Sequence, residues 1–299
     1  MGKFFEELAK KLAERWLTLL LLPGAAFVVL AVLGTRFGHA KVFAVAEFDK
    51  LTSDVTTAQP RQQVVLLVVA LLASAATGLV VQALAGVTRA VWLGRWPWFA
   101  RPLRDKLTRA RRTRWHAVLG RRRALEREHP ASTRTAAQQE EIDVVAARMV
   151  RVAPAEPGRP TWMGDRMHAV EQVALHRHGL DLAFGWPRLW LVLPDTVRAE
   201  VTAAEAGFAA AVATGTWAWP YLALGVLWWP AVLVGAGIGM IGWVRARAAV
   251  ADLSSLSEAA IDLHGRTLAT ALGVGADGAA GPLTVDEGRE ITAIVRKGR

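Results

Sequence analysis

The sequence predicts an all-α, polytopic membrane protein with four transmembrane helices plus amphipathic and cytoplasmic helices. Three observations carry this. Charged residues are missing from three long stretches: 20 residues between Arg15 and Arg36, 27 between Arg61 and Arg89, and 39 between Glu205 and Arg245. The chain is 53% hydrophobic yet has a net charge of +10, and the apolar and cationic residues occupy different segments. Thirteen tryptophans stand against one tyrosine, and tryptophan favours the membrane–water interface.

The elements follow in chain order. Phe4, Leu8, Leu12 and Trp16 recur every four residues, with Lys3, Glu6, Glu7, Lys10, Lys11 and Glu14 filling the other face, so 1–15 reads as an amphipathic helix at the cytoplasmic face. The first uncharged stretch, "WLTLLLLPGAAFVVLAVLGT", is long enough to cross a bilayer, with Pro23-Gly24 expected to kink it. It reads as a retained helix, not a cleaved signal, because "GHA" at 38–40 is a poor cleavage site and acids precede it. "MGKFFE" lacks the Ser or Thr that myristoylation needs. The second stretch centres on "VVLLVVALLASAATGLVV". The third would be about 58 Å long as one helix, against a hydrocarbon core of about 30 Å, so it should double back. Pro230 suits the first turn of a returning helix, which places the turn near Gly225–Trp229, with Trp217–Pro220 as the alternative.

Cations set the orientation. Residues 89–127 carry 13 Lys/Arg and two acids, whereas 35–62 carries four cations and three acids. The positive-inside rule then puts 89–127 and both termini in the cytoplasm of an inner-membrane protein. The expected order is an amphipathic helix at 1–15, a span at 16–34, an extracytoplasmic loop at 35–62 and a span at 63–88. A basic cytoplasmic region at 89–203, spans at 204–224 and 228–245, and a cytoplasmic tail at 246–299 complete it.

Within the cytoplasmic parts, a helix is expected over about 132–150 with Ser132 or Thr133 as its cap, and "APAEPGRP" (153–160) reads as a linker. Helix signals run from about Asp165 to His178 and stop at Gly179. "WPRLWLVLP" is too short to span and should lie at the interface or in a small core. Asp195 is placed as a helix cap. Leu253, Leu256, Ala260 and Leu263 form a short stripe on a helix over 246–272, and Thr284 with Glu287 forms a capping box for the last helix.

Catalytic chemistry finds little footing. With no cysteine, thiolate nucleophiles and thiolate metal sites are excluded. "GVGADG" at 273–278 matches a dinucleotide pattern but follows a helix, so it reads as a loop. His168, His176, His178 and Asp181 lack metal-ligand spacing and read as surface groups, so neither metal nor cofactor is expected. The later spans contain no ionisable side chain, unlike ion-coupled transporters. Ser74, Thr77 and Gln82 are expected to hydrogen-bond between helices.

"PTWMGD", "GLDLAFGWPRLWLVLP", "WWPAVLVGAGIGMIGW" and "EAAIDLHGRTLATALG" resemble uncharacterised multi-span membrane proteins of high-GC actinobacteria, over residues of about 160–299. The resemblance implies membrane residence and carries over no functional residue.

These readings converge on a non-enzymatic anchor or scaffold that self-associates in the bilayer. Ala231, Gly235, Gly239 and Gly242, with Ser74 and Gly78, are the small residues expected at helix–helix contacts. Arg104, Lys106, Arg109, Arg111, Arg112, Arg114, Arg121, Arg122 and Arg123 would meet anionic lipid headgroups, beside a cytoplasmic protein partner. Trp16, Trp92, Trp96, Trp98, Trp228, Trp229 and Trp243 would anchor at the interfaces. An oligomeric channel or pore is the alternative. A lipid-modifying enzyme using His168, His176 and His178 comes next. Nucleic acid ranks last, because Trp115 is the one aromatic among the cations of 101–128.

Overall fold

Every regular element among the described residues is a helix. The computed structural model describes residues 22–38, 59–275 and 281–296. The helices are α1 (Leu22–Phe37), α2 (Pro60–Trp92), a 3-10 turn (Trp98–Ala100), α3 (Arg101–Glu128), α4 (Ala136–Val152), α5 (Trp162–His178), α6 (Leu182–Val192), α7 (Asp195–Thr216), α8 (Ala218–Leu224), α9 (Pro230–Ala271) and α10 (Val285–Arg296). The amphipathic segment 1–15, Trp16 and most of the loop 35–62 lie outside the described residues.

Two helices, α2 and α9, are long and apolar enough to cross a membrane, where the sequence predicts four spans. The two others fall short for different reasons. The described part of the first span, α1, is apolar but only 16 residues long. The expected span 204–224 is interrupted. α7 starts at Asp195 and carries Arg198, Glu200 and Glu205 before its apolar end, and it stops at Thr216. There the Trp217 N–H bonds back to Thr214 O (3.2 Å), and α8 contributes only seven residues, with Pro220 tolerated in its first turn. The chain breaks again at Gly225–Trp229 before Pro230 opens α9, so both turn positions suggested by the prolines are used.

The chain divides into two compact units, Met1–Thr88 with Ala209–Arg245, and Arg89–Phe208 with Ala246–Arg299. In the first, α1 packs on α2 and α8. Phe27 meets Tyr221 edge-on at 5.3 Å, and Val81, Trp217 and Tyr221 close a small core with Leu30 and Ile238. In the second, α3 and α4 form an antiparallel hairpin with Ile142 and Val145 buried. The second unit's main core gathers Ala174, Leu180, Leu189, Ile261, Leu268 and Ile291 from α5, α6, α9 and α10 and their flanks. α10 buries Gly288, Ile291, Thr292 and Val295, the spacing of one helical face.

Local signals mostly place the ends. Gly179 closes α5 in the left-handed region (φ 66°). Thr135, not Ser132 or Thr133, caps α4 through a reciprocal box with Gln138. Asp195 lies in the first turn of α7. The segment "WPRLWLVLP" forms the second half of α6 and runs through its C-cap Leu193, packing in the core through Leu189 and Leu193. On the C-terminal stripe, Leu253 and Ala260 are buried but Leu263 faces out.

The box at α10 forms as its sequence suggests. The Thr284 N–H donates to Glu287 Oε2 at 2.9 Å, and the Glu287 N–H donates back to Thr284 Oγ1 at 3.4 Å. Arg266 of α9 also pairs with Glu287 and donates to Pro282 O at 2.9 Å. The Arg266 guanidinium, then the Thr284 donors, hold the Glu287 carboxyl down from 4.5 to about 2. A lowered pKa means the folded state prefers the carboxylate. Its stabilisation is therefore complete above pH 4.5 and is lost as the pH falls towards about 2. Near-ultraviolet circular dichroism, reporting on Trp186 and Trp190 beside this core, should show the wild type losing thermal stability between about pH 6 and about pH 2.5 more steeply than Glu287→Gln. Parallel pH profiles would refute the assignment.

Candidate functional site

The apolar surface of α2 is the first feature to explain. Along its 33 residues only Ser74, Gly78, Val81 and Thr88 are buried, a single narrow face. The large apolar residues from Val64 to Leu72 are each between 47% and 65% exposed, on every side of the helix. A helix in water presents a polar face, so an all-round apolar surface matches hydrocarbon surroundings. Ser74 and Thr77 do not bond across helices as expected. Their hydroxyls donate to Ala70 O (2.7 Å) and Ala73 O (2.8 Å) of the same helix. The cross-helix polar contact falls instead at Thr88, whose Oγ1 accepts from Trp219 Nε1 and lies close to Thr216 Oγ1, both at 3.0 Å. Neither partner was legible in sequence, lying 128 and 131 residues away.

The small residues meet partners within the chain. Ser74 faces Gly24 of α1, where a Cβ would come within 2.4 Å of the Ser74 carbonyl oxygen. Gly235 lies against Ala218 and Leu222 of α8, and Gly239 against Ala218. Gly242 meets Gly215 and Ala211 of α7. Ala231 is buried with Leu224 and Trp228, and Gly78 is buried on α2. Gly237, by contrast, has open space beyond it.

The basic residues of α3 divide into two groups. Arg111 is committed to the fold. It donates from Nε to Asp165 Oδ2 at 2.5 Å and from Nη2 to Val152 O at 2.9 Å. Asp165 is buried, and its other oxygen accepts from the N–H groups of Gly158 (2.9 Å) and Arg159 (2.6 Å). The stretch 153–160 is therefore a packed loop and not the linker its prolines and glycine suggest. Ala153, Pro157 and Pro160 are buried, and Trp115 Nε1 donates to Ala153 O at 3.2 Å. Arg112 pairs with Glu156, Arg104 with Asp105, Arg122 with Glu126, and Arg121 more loosely with Glu141 at 3.9 Å. Among the described residues Lys106, Arg109, Arg114 and Arg123 have no carboxylate partner, and all four are exposed. Uncompensated, outward-facing cations of this kind bind anionic surfaces.

The tryptophans divide likewise. Trp98 is 76% exposed and Trp229 is also exposed. Trp92 and Trp243 are half-buried. Trp96 is half-buried, its Nε1 donating to Val91 O at 2.9 Å. Trp228 is buried in the first unit. Trp162, which no sequence pattern singled out, lies under the Arg247 guanidinium at 4.3 Å.

The three candidate histidines each have their own partner. His168 Nδ1 lies 3.3 Å from Glu171, and His176 Nδ1 lies 2.7 Å from Gln172 O. His178 is buried rather than at the surface. Its Nε2 lies 2.9 Å from Asp262 of α9 and its Nδ1 lies 3.3 Å from Leu283 O, which joins α5, α9 and the lead into α10. Among the described residues no three His, Asp or Glu side chains converge to hold a metal ion. No protein-family model, curated protein or solved structure matches the chain.

Proposed function

We propose that this chain is an integral membrane protein with a scaffold or anchor role, holding a basic helical region against anionic lipid and offering it to a cytoplasmic protein partner. The all-round apolar exposure of α2 from Val64 to Leu72 carries the membrane reading, since burying that surface in water would need a partner covering every side. α2 and α9 are long and apolar enough to cross the bilayer alone, and in this reading α1 and the apolar end of α7 with α8 supply the other two crossings, four in all. The unpaired cations of α3, close in sequence to the end of α2, supply the attraction to anionic headgroups. Both termini are cytoplasmic in this reading.

Self-association belongs to the same proposal but now rests on different residues. Gly235 and Gly242 are occupied by α8 and α7, so the surfaces left for a second copy are the Gly237 side of α9 and the outer face of α2. Alkaline carbonate washing of membranes tests residence: the chain should stay in the pellet, and its release to the supernatant would overturn the reading. Native mass spectrometry from mild detergent tests the rest. Retained anionic lipid and multiples of the 32.3 kDa chain are expected. A bare monomer that retains no lipid would refute both parts.

A further inference from the structure

The turn between α2 and α3 projects aromatic rings from a rigid base. α2 ends with all four of its last carbonyls satisfied. Leu93 N–H bonds to Arg89 O (3.0 Å), Arg95 N–H to Ala90 O (2.8 Å), and Gly94 N–H to Val91 O (3.1 Å). Thr161 Oγ1 donates to Trp92 O at 2.7 Å. Gly94 takes φ 68°, the left-handed conformation of this helix stop, and a Cβ there would lie 2.8 Å from the Pro160 ring. Trp96 ties its indole back to Val91 O, and Ala100 N–H closes on Pro97 O at 3.0 Å. These bonds hold the turn from both of its ends.

From this base the side chains point outward. Trp98 and Phe99 pack edge-to-face at 6.1 Å and are 76% and 70% exposed. On the first two turns of α3, Leu103 and Leu107 are one helical turn apart and also exposed. Around these four apolar side chains, residues 95–109 carry five cations (Arg95, Arg101, Arg104, Lys106, Arg109) and one acid, Asp105. An apolar aromatic centre within a cationic rim is complementary to one environment in particular: headgroup phosphates outside, acyl chains within. An acidic protein would match the cations but leave the rings unaccounted for.

We infer that Trp98, Phe99, Leu103 and Leu107 form a wedge that inserts into the headgroup–acyl boundary of an anionic leaflet, with the surrounding Arg and Lys side chains holding lipid phosphates. This rests on the membrane reading above and adds the site and depth of contact. The wedge fixes where α3 begins relative to the lipid, so the basic helix runs from an anchored end.

The absence of cysteine makes the test direct. Single cysteines are placed at Phe99, at Leu67 on the exposed face of α2, and at the exposed Gly120. Each is labelled with an environment-sensitive fluorophore in the full chain and reconstituted into phosphatidylcholine vesicles with and without phosphatidylglycerol. The label at 99 should be quenched by shallow nitroxide-lipids and be at least several-fold less accessible to aqueous iodide than the label at 120. Combining Arg95→Gln, Arg101→Gln and Lys106→Gln should abolish the gain in nitroxide quenching that phosphatidylglycerol gives. If 67 is lipid-quenched but 99 behaves like 120, the wedge is wrong and the membrane reading stands. If 67 is also open to iodide, both fall. Equal quenching at 99 with and without phosphatidylglycerol overturns the anionic part.

Discussion

Gly242→Ala should strongly destabilise the first unit, while Gly237→Ala, five residues earlier on the same helix, should be neutral or slightly stabilising. A Cβ at 242 would lie 2.5 Å from the Gly215 Cα, 2.6 Å from its nitrogen and 3.1 Å from Ala211 O, all backbone atoms of α7. No side-chain rotation relieves such a contact, so α7 and α9 must separate and the small core of Val81, Trp217 and Tyr221 loosens. Overpacking of this kind costs about 1–3 kcal/mol even where side chains can give way, and here the upper end is expected. At 237 nothing lies within 4 Å, and alanine gains up to about 1 kcal/mol of helix propensity over glycine. Gly239→Ala should fall between the two, its Cβ meeting only Ala218 Cβ at 3.3 Å. Thermal melts of the purified variants in one detergent give the ranking. A Gly242→Ala protein as stable as wild type would show that the α7–α9 approach is not as close as described.

The second large effect is expected at Asp165. Asp165→Ala leaves the half-buried Arg111 without a counter-charge and strips the acceptor from the Gly158 and Arg159 N–H groups. Removing one partner of a buried ion pair costs about 3–5 kcal/mol, because the other charge remains. Asp165→Asn should cost less: it keeps an oxygen for the two loop N–H groups but turns an amide towards the guanidinium. Arg112→Ala is the control, since Arg112 and Glu156 are each about half exposed and a surface pair contributes at most about 1 kcal/mol. Melting temperature gives the order, and limited proteolysis at Arg159 reports whether the loop is released. Equal melting temperatures for Asp165→Ala and Arg112→Ala would remove the clamp from the account.

The Asp165 clamp also marks where reading the sequence falls short. Three prolines and a glycine in "APAEPGRP" are a linker signal, because each disfavours regular structure locally. The same stretch makes a packed turn once the Asp165 carboxylate, 7 and 6 residues on, accepts the N–H groups of Gly158 and Arg159. Arg111 has the same difficulty. In a run of arginines nothing distinguishes the one whose partner lies 54 residues away. His178 likewise looks like one of three histidines on a polar helix, until Asp262, 84 residues on, is beside it.

What can be read along the chain alone is what is encoded within a turn or two of backbone. The apolar run of α2, Pro230 opening α9, the Gly179 stop and the Thr284–Glu287 box each follow from propensity, capping or transfer free energy, and none needs a distant partner. The division of 204–224 at Trp217, the helices that Gly235 and Gly242 touch, the commitment of Arg111, and the exposure of Trp98 and Phe99 all needed the folded chain. Each depends on which backbone or side chain arrives from far along the sequence, and burial and partner choice are properties of that meeting, not of the residue that makes it.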